Sequence, residues 1–376
     1  MGSKQQQQTL NDEGRSTPPD VAEFEAIDAA VDVTSMPAVE TEPTDSIGSD
    51  DGFVTAAPEP GIELFSTAAL VAFIAANNRS STDADTNQRN RALSRQLSAR
   101  GPFRLLFTLP ADWERELDTL EADYPHFGKF IGYLRTMCLL ARLDNGVVEL
   151  ELPLLDGPPG TGKSTFAERL VGVIAGGYAR VSMSAAESGA LLGGSQETWS
   201  NSKPGLVFST LVEGQYANPL ILLDELDKVS TDSRFDPLGP AYQLLEPALA
   251  RRFCDLSLPT LPIDASHVLW VATSNDASRI PEPIRQRLVQ FDISLPTPEQ
   301  SLAIVRSVMR LLQETYPRLL RFTLDEATVV ALTGLAPREM RKRIRLACGQ
   351  AAQAGRLVVF SSDLPADARQ GRRMGF

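Results

Sequence analysis

A glycine-rich stretch between an apolar run and a helical segment constrains this chain more than any other feature. Residues 157–164 read Gly-Pro-Pro-Gly-Thr-Gly-Lys-Ser, which fits the pattern GxxxxGK followed by Ser or Thr. The glycines allow successive backbone N–H groups to point towards one anion, and the following helix adds its N-terminal dipole. The alternative, a chance glycine-rich turn, does not account for the flanking segments. The pattern therefore predicts a strand, a phosphate-binding loop and a helix.

The loop also supplies a cation and a metal ligand. Lys163 is expected to reach the β- and γ-phosphates of a nucleotide, and Ser164 is expected to ligate Mg²⁺. We therefore predict ATP and Mg²⁺ as cofactors. The other loop positions predicted to bind the nucleotide are Gly157, Pro158, Pro159, Gly160, Thr161, Gly162 and Thr165.

Two later apolar runs end in polar residues. Pro219–Leu223 is followed by Asp224 and Glu225, and Val268–Thr273 leads to Asn275. Parallel sheets present ligands at the C-terminal ends of their strands. Asp224 is therefore predicted to hold the magnesium shell, and Glu225 to polarise the attacking water as general base. Asn275 could hydrogen-bond the γ-phosphate or that water, and an ordinary strand-end turn explains it equally well.

The alternation of apolar runs with helical stretches indicates the fold class. It predicts an α/β protein with a parallel sheet that helices cover on both faces, followed by a helical C-terminal segment. We expect a helical N-terminal region over residues 62–126, an α/β nucleotide-binding domain over 127–296 and a helical lid over 297–376. The predicted helices are Ile62–Asn77, Arg91–Arg100, Pro110–Leu120, Phe127–Leu143, Ser164–Ile174, Leu206–Glu213, Pro298–Glu314, Leu324–Thr333 and Pro337–Ala354, with Asn78–Asn90 as a linker and Val148–Leu155 and Tyr178–Met183 as further strands.

The chain's net charge of −12 belongs to its first residues. Residues 1–60 contain 13 acidic side chains and only Lys4 and Arg15 as basic ones, and they are rich in Gln, Ser, Thr and Pro. Such a composition buries too little apolar surface to fold alone, so residues 1–61 are predicted to form a disordered acidic tail. A short helix around Val21–Val31 would make the tail a docking segment, and a solvated tail is the simpler interpretation. The near-neutral remainder gives no charge argument for or against nucleic acid.

Composition also addresses the compartment. No apolar run approaches the roughly 20 residues that span a bilayer, so no membrane association is expected. Cys138, Cys254 and Cys348 form no CxxC pair, which favours reduced thiols in a cytoplasmic protein over a zinc site.

Several motifs together resemble the ATPase module of Lon-type AAA+ proteins. They are the glycine-rich loop, PLILLDELDKVS at residues 219–230, VATSN at 271–275 and IPEPIRQR at 280–287, and the likeness covers about residues 127–354. The resemblance implies ATP hydrolysis by a ring, with a hexamer as the expected assembly. It implies that Asn275 is the sensor 1 residue. It further implies that Arg287 is an arginine finger reaching the neighbouring subunit's nucleotide, although a surface ion pair beside Arg285 would also explain that residue.

Other positions fit the resemblance less closely. Arg338 matches the sensor 2 arginine of the lid, with Pro337 before it where a small residue is usual. Trp199, within Gly193–Pro204, matches the aromatic of a substrate-gripping pore loop, while a loop tryptophan packed on its own domain is the alternative. No peptidase domain is expected after the lid, and no Lon substrate domain is recognisable in residues 1–126.

These features favour a ring-forming remodeller or unfoldase of an unknown protein client, without its own protease. The alternative is a nucleic-acid-associated motor or loader. Its support is a basic helical stripe of four residues, Arg338, Arg341, Lys342 and Arg345, which lacks interleaved aromatics. A third hypothesis, a nucleotide-gated scaffold, would not need the water-activating Glu225.

Overall fold

A mixed sheet with helices on both faces forms the centre of the protein. The computed structural model describes residues 31–32, 60–79, 84–186, 188–196, 202–229 and 236–365. The strands in these ranges are β1 (Val31–Asp32), β2 (Gly61–Glu63), β3 (Phe103–Leu105), β4 (Pro153–Asp156), β5 (Tyr178–Ser182), β6 (Leu220–Asp224), β7 (Leu269–Ser274), β8 (Val289–Asp292), β9 (Thr323–Leu324) and β10 (Val358–Val359). The central sheet has the order β1-β5-β6-β7-β4-β8, and all its pairings are parallel except β1 with β5.

Helices surround the sheet and continue beyond it. The α-helices are α1 (Thr67–Arg79), α2 (Ala84–Arg100), α3 (Trp113–Asp123), α4 (Gly128–Leu143), α5 (Lys163–Glu168), α6 (Ala190–Gly193), α7 (Leu206–Glu213), α8 (Ala241–Leu244), α9 (Pro247–Ala250), α10 (Glu282–Arg285), α11 (Pro298–Thr315), α12 (Glu326–Leu332) and α13 (Pro337–Gln353). Short 3₁₀ segments include Pro125–Phe127 and Leu226–Lys228.

The apolar strands are buried from both sides, as the sequence predicted. In β6, Ile221 and Leu223 pack in the core on one face of the sheet, and Leu220 and Leu222 pack in the core on the other. A strand covered on both faces needs apolar side chains at every position, which explains its unbroken apolar run. The predicted α/β fold class is therefore confirmed.

The N-terminal region differs from the prediction in its boundaries. Ile62 is not helical, because it pairs with Arg104 in the β2–β3 ladder, and helix α1 begins only at Thr67. The predicted linker Asn78–Asn90 was wrong, since α1 runs to Arg79 and helix α2 starts at Ala84. Helix α2 is polar over most of its length and contributes the buried Leu97 to the core. Because the apolar stripe of α2 is so narrow, hydrophobic periodicity did not predict the full length of this helix.

Other predicted boundaries also differ from those in the structure. Strand β4 begins at Pro153 rather than Val148, and helix α5 ends at Glu168 rather than Ile174. Strand β8 was not predicted, because its polar residues Gln290 and Asp292 suit a sheet edge that is exposed on one side. The helix considered around Val21–Val31 lies outside the described residues except for Val31, which is in β1.

The C-terminal helices have a core of their own. Helices α11, α12 and α13 bury residues such as Val305, Leu332 and Ile344 against one another. Helix α11 begins with a capping box in which Thr297 and Gln300 exchange hydrogen bonds. Helix α12 starts two residues later than predicted, because Thr323–Leu324 pairs in parallel with Val358–Val359. No helix within the described ranges is both long and apolar enough to cross a bilayer.

Candidate functional site

A cleft of about 470 Å³ lies between the C-terminal ends of the sheet strands and the C-terminal helices. Its floor comes from the glycine-rich loop, the start of α5 and the ends of β6 and β7, and its roof from α11 and α13. The lining residues are Asp123, Tyr124, His126, Pro159, Gly160, Gly162, Lys163, Ser164, Thr165, Arg180, Asp224, Glu225, Thr273, Asn275, Ile304, Ser307, Val308, Leu311, Pro337, Arg338 and Arg341.

The glycine-rich loop joins β4 to α5 in the predicted order. Gly160 and Gly162 have φ angles of 84° and 95°, which L side chains rarely adopt. Gly157 has no room for a side chain either, because a Cβ atom there would lie 2.0 Å from the carbonyl oxygen of Ile293. The loop therefore needs glycine at these three positions to fold across the strand ends.

Lys163 is the buried cation of the floor. Its ammonium donates to the carbonyl oxygens of Gly157 at 2.7 Å and Pro158 at 3.0 Å, and to Oδ1 of Asn275 at 3.2 Å. The residue is only 7% exposed. Burial lowers the pKa of Lys163, and the nearby carboxylates of Asp156 and Asp224 oppose that shift. The three hydrogen bonds hold the Lys163 side-chain nitrogen at the mouth of the loop.

Asp224 is the buried anion of the floor. Its Oδ1 accepts from the hydroxyls of Ser164 at 2.7 Å and Thr273 at 2.6 Å, and its Oδ2 accepts from the guanidinium of Arg180. The contact with Ser164 joins the two predicted magnesium ligands across 60 residues of sequence. Hydroxyl and carboxylate oxygens are the ligands that Mg²⁺ prefers.

Glu225 follows Asp224 in an unusual backbone conformation. Its φ angle is 56°, which makes it the single non-glycine residue with positive φ among those that the structure describes. Its N–H donates to Thr273 Oγ1 at 2.9 Å, which anchors the turn. Strained residues of this kind concentrate at functional sites, and here the turn places a half-buried carboxylate on the cleft wall.

Asn275 lies at the end of β7 beside the loop. Its backbone N–H donates to Oδ1 of the buried Asp227 at 3.2 Å, while its side-chain oxygen accepts from Lys163. Hydrogen bonds thus hold both the backbone and the side chain of Asn275 in the cleft. An ordinary turn at the surface would not need both.

The roof contributes exposed basic residues. Arg338 and Arg341 line the cleft from α13, and the backbone N–H of Arg338 donates to the carbonyl oxygen of Gly160 at 3.3 Å. The predicted basic stripe therefore faces the cleft at two of its positions. A third, Arg345, stacks its guanidinium 4.9 Å from the ring centre of Tyr316.

A buried carboxylate connects the roof to α3. Asp123, at the end of α3, accepts from Ser307 Oγ at 2.8 Å and from the guanidinium of Arg310, both on α11. Gln300 adds a second connection through its side-chain N–H, which donates to the carbonyl oxygen of Pro125 at 3.2 Å. These few polar contacts hold α11 beside the floor.

One end of the cleft is formed by groups that the sequence analysis missed. The ring of His126 contacts the carbonyl oxygen of Thr161 at 2.9 Å through Nε2, so this nitrogen carries the proton and donates. Burial lowers the pKa of His126 and raises the pKa of Tyr124 to about 12, which keeps both rings uncharged. Ile304 and Val308 line the cleft as well. The only signal in the sequence was a rare histidine just before a helix.

Arg180 was missed for a different reason. It lies between the buried Ala179 and Val181 on a short strand, and an exposed arginine on one face of a strand usually indicates only contact with solvent. The structure instead brings it to Asp224.

Arg287 and three of the predicted loop residues, Gly157, Pro158 and Thr161, do not line this cleft. Arg287 is exposed beyond α10, and its guanidinium donates to the carbonyl oxygen of Pro283 at 2.5 Å. Trp199, the predicted pore-loop aromatic, lies outside the described residues. The predicted loop residues Pro158 and Thr161 contact the site through the loop itself, where Thr161 Oγ1 donates to the carbonyl oxygen of Pro158.

Comparison with known proteins agrees with this geometry. Residues 153–298 match the family model described as ATPase family associated with various cellular activities (AAA). The chain is 29% identical to the Lon protease of Clostridioides difficile (strain 630) over 218 residues, which are 54% of this chain and 27% of that protein. It is 32% identical to Lon protease 4 of Sorangium cellulosum (strain So ce56) over 225 residues, with shares of 55% and 28%.

A plant relative gives the same result. The peroxisomal Lon protease homolog 2 of Zea mays is 32% identical over 220 residues, which are 55% of this chain and 24% of that protein. The chain thus matches about a quarter of the length of these relatives. Among solved structures, a RuvB mutant of Thermotoga maritima aligns with a TM-score of 0.42 and 12% identity, covering 65% of this chain and 66% of that one.

Proposed function

Since the matched segment is an AAA+ ATPase module of the Lon type, we propose that this chain binds ATP with Mg²⁺ in the cleft and hydrolyses it. The observation that carries this proposal is the convergence of Lys163, Ser164, Asp224, Glu225 and Asn275 on one cleft. Their hydrogen bonds to one another make a charged, pre-organised floor.

The phosphates are proposed to lie over the glycine-rich loop. The backbone N–H groups of residues 160–165 and the N-terminus of α5 favour an anion there, and Lys163 supplies the full positive charge. The ammonium would exchange its bonds to the loop carbonyls for bonds to the β- and γ-phosphates, which are stronger because both partners are charged.

Magnesium fits the donor set. Nucleotide sites hold this ion with one or two protein oxygens besides the phosphates, so a hydroxyl and a carboxylate suffice. Ser164 and Asp224 would hold it, and the ion would neutralise charge on the transferred phosphoryl group. Among the described residues no group of three His, Cys, Asp or Glu side chains offers an alternative metal site.

Hydrolysis is assigned to the wall beside the metal ligands. Glu225 would accept a proton from the attacking water as general base, and Asn275 would orient that water or the γ-phosphate. At the other end of the cleft, the adenine ring of ATP would contact the uncharged rings of Tyr124 and His126 and the apolar Ile304. Arg338 would approach the phosphates from the roof as the lid sensor.

Glu225→Gln tests the hydrolytic assignment. The amide keeps the shape of the side chain but cannot accept a proton, so turnover is expected to fall on the order of 100-fold or more. ATP binding is expected to stay within about threefold of wild type, because the change does not touch the loop. Turnover would be measured by phosphate release, and binding with a fluorescent ATP analogue. Wild-type turnover in this variant would refute the general-base role.

Assembly is the next part of the proposal. Arg287 lies outside its own cleft, which suits a residue acting on the nucleotide of a neighbouring copy in a ring, with a hexamer as the expected size. A guanidinium in that position would stabilise the departing phosphoryl charge.

A mixing experiment tests action between subunits. Arg287→Ala alone is expected to assemble and hydrolyse at least about tenfold more slowly, and Asp224→Asn alone to hydrolyse little. In mixed rings an intact cleft meets an intact arginine at about one interface in four, so phosphate release should partly return. Sedimentation would show that both variants still assemble. Absence of any rescue in co-assembled rings would place Arg287 outside catalysis.

The client and location complete the proposal. We favour a protein client, remodelled by ATP-driven movement of the roof, in a cytoplasmic protein whose described cysteines are free thiols. The nucleic-acid alternative has less support, because Arg341 lines the cleft and Arg345 stacks on Tyr316.

A further inference from the structure

Arg180 occupies an unusual position for an arginine on a buried sheet. It lies in β5 opposite Leu222 of β6, and its neighbours Ala179 and Val181 are fully buried. Its own side chain is 44% exposed, lines the cleft and ends on Oδ2 of Asp224. Since β5 and β4 lie on opposite sides of β6 in the sheet, Arg180 approaches Asp224 from the strand away from the glycine-rich loop.

The surroundings of Asp224 make this contact significant. The side chain of Asp224 is only 5% exposed, and a buried carboxylate is costly without a charged partner. Its other contacts within the described residues, Ser164 and Thr273, are neutral hydroxyls on Oδ1. Lys163 directs its ammonium to Gly157, Pro158 and Asn275 instead. Arg180 is therefore the direct cationic partner of this carboxylate.

We infer that Arg180 and Mg²⁺ compete for the carboxylate of Asp224, so that the arginine sets how much magnesium the site requires. The inference rests on the proposed ATP site. One carboxylate carries one negative charge, and a guanidinium already paired with it weakens its attraction for a second cation. Binding of the metal would release the guanidinium into the same cleft, where phosphate oxygens can accept it.

This competition has two measurable consequences of opposite sign. Removing the charge of Arg180 leaves Asp224 with a free negative charge, so less magnesium is needed. It also removes a cation from the cleft, so metal-free ATP is expected to bind more weakly. If Arg180 had only a structural role, its replacement would not lower the magnesium requirement while weakening the binding of metal-free ATP.

The experiment is a magnesium titration of the full chain. A fluorescent, non-hydrolysable ATP analogue reports binding as Mg²⁺ is raised from zero, and a parallel titration uses EDTA. In Arg180→Met the half-saturating Mg²⁺ concentration is expected to fall at least about threefold, while the affinity in EDTA falls by a similar factor. Arg180→Gln, which keeps polar donors without charge, should give the same changes and serves if the Met variant does not fold.

The control and the contrary outcomes are defined by the same titration. Arg115→Met removes an exposed arginine of α3 that pairs with Asp112, and it should match wild type. Arg180 variants that need the same or more magnesium than wild type would overturn the competition. A wild-type chain that binds no analogue at any magnesium concentration would instead overturn the proposed function itself.

Discussion

The floor and the roof of the cleft are built on different principles. On the floor, Lys163, Asp224 and Thr273 are buried. Thr273 donates a hydrogen bond to Asp224, and Lys163 donates one to Asn275 at the end of β7. On the roof, Arg338 and Arg341 are exposed, and polar contacts with Asp123, Pro125 and Arg169 join α11 to the rest. The floor is fixed by a sheet with a core on each face, whereas the roof has its own core and few connections. The floor therefore fixes the positions of the side chains that line the cleft, whereas the roof can move with the loss of few contacts.

The largest expected effect belongs to the floor. Lys163→Ala removes the buried cation on which the phosphates would rest, so affinity for ATP should fall on the order of 100-fold. Titration with a fluorescent ATP analogue would measure the loss. Arg338→Ala, a charge removed from the roof, is the matched comparison and should cost less. An equal loss for the two variants would contradict the division of labour between floor and roof.

The connection between the two parts predicts an intermediate effect. Asp123→Asn removes the charge that Arg310 and Ser307 share, so unfolding free energy should fall by about 1–2 kcal/mol. The half-exposed Arg310 can return to water, which limits the loss.

Binding provides a second readout of that connection. ATP affinity of Asp123→Asn should weaken about threefold, because the roof is then held less firmly above the floor. Asp118→Asn, an exposed acid of the same helix that pairs with Arg135, is the control and should change stability by only a few tenths of a kcal/mol. If both variants melt alike, Asp123 does not connect the two parts.

The smallest effect concerns the first turn of the roof. Thr297→Ala removes the side-chain cap of α11, whose hydroxyl accepts from the N–H of Gln300 at 3.3 Å, and should cost about 1 kcal/mol of stability. Thr297→Ser keeps the hydroxyl and should melt as wild type does. Nucleotide affinity should stay within about twofold in both, since neither change touches the floor. A large loss of nucleotide affinity would contradict this, and would show that binding depends on the local stability of α11.

The sequence predicted the floor better than the rest because the floor depends on local patterns. A glycine-rich loop and acidic residues after apolar strands determine their own positions, since parallel strands end at the same sheet edge. Lys163, Asp224 and Asn275 accordingly line one cleft. The confirmed fold class follows from the same apolar strands.

The missed features depend on contacts between distant segments. Arg180 and Asp123 have no local signal, because each acquires its partner only when β5 meets β6 or α3 meets α11. The mistaken linker at residues 78–90 had a related cause. Helix α2 is held by a narrow buried stripe rather than by a broad apolar face, and composition alone reads such a segment as loop.

The tight fit at Gly157 has a mechanical consequence. The space that a side chain would need is taken by the carbonyl of Ile293, whose own N–H donates to Asp156 at 2.6 Å. Ile293 precedes the short connection to Thr297, from which α11 starts. Gly157 and the start of the segment that leads to α11 are therefore in close backbone contact, and a side chain at residue 157 would displace that segment. In the proposed ATP complex, this backbone contact would connect the phosphate-binding loop directly to the roof.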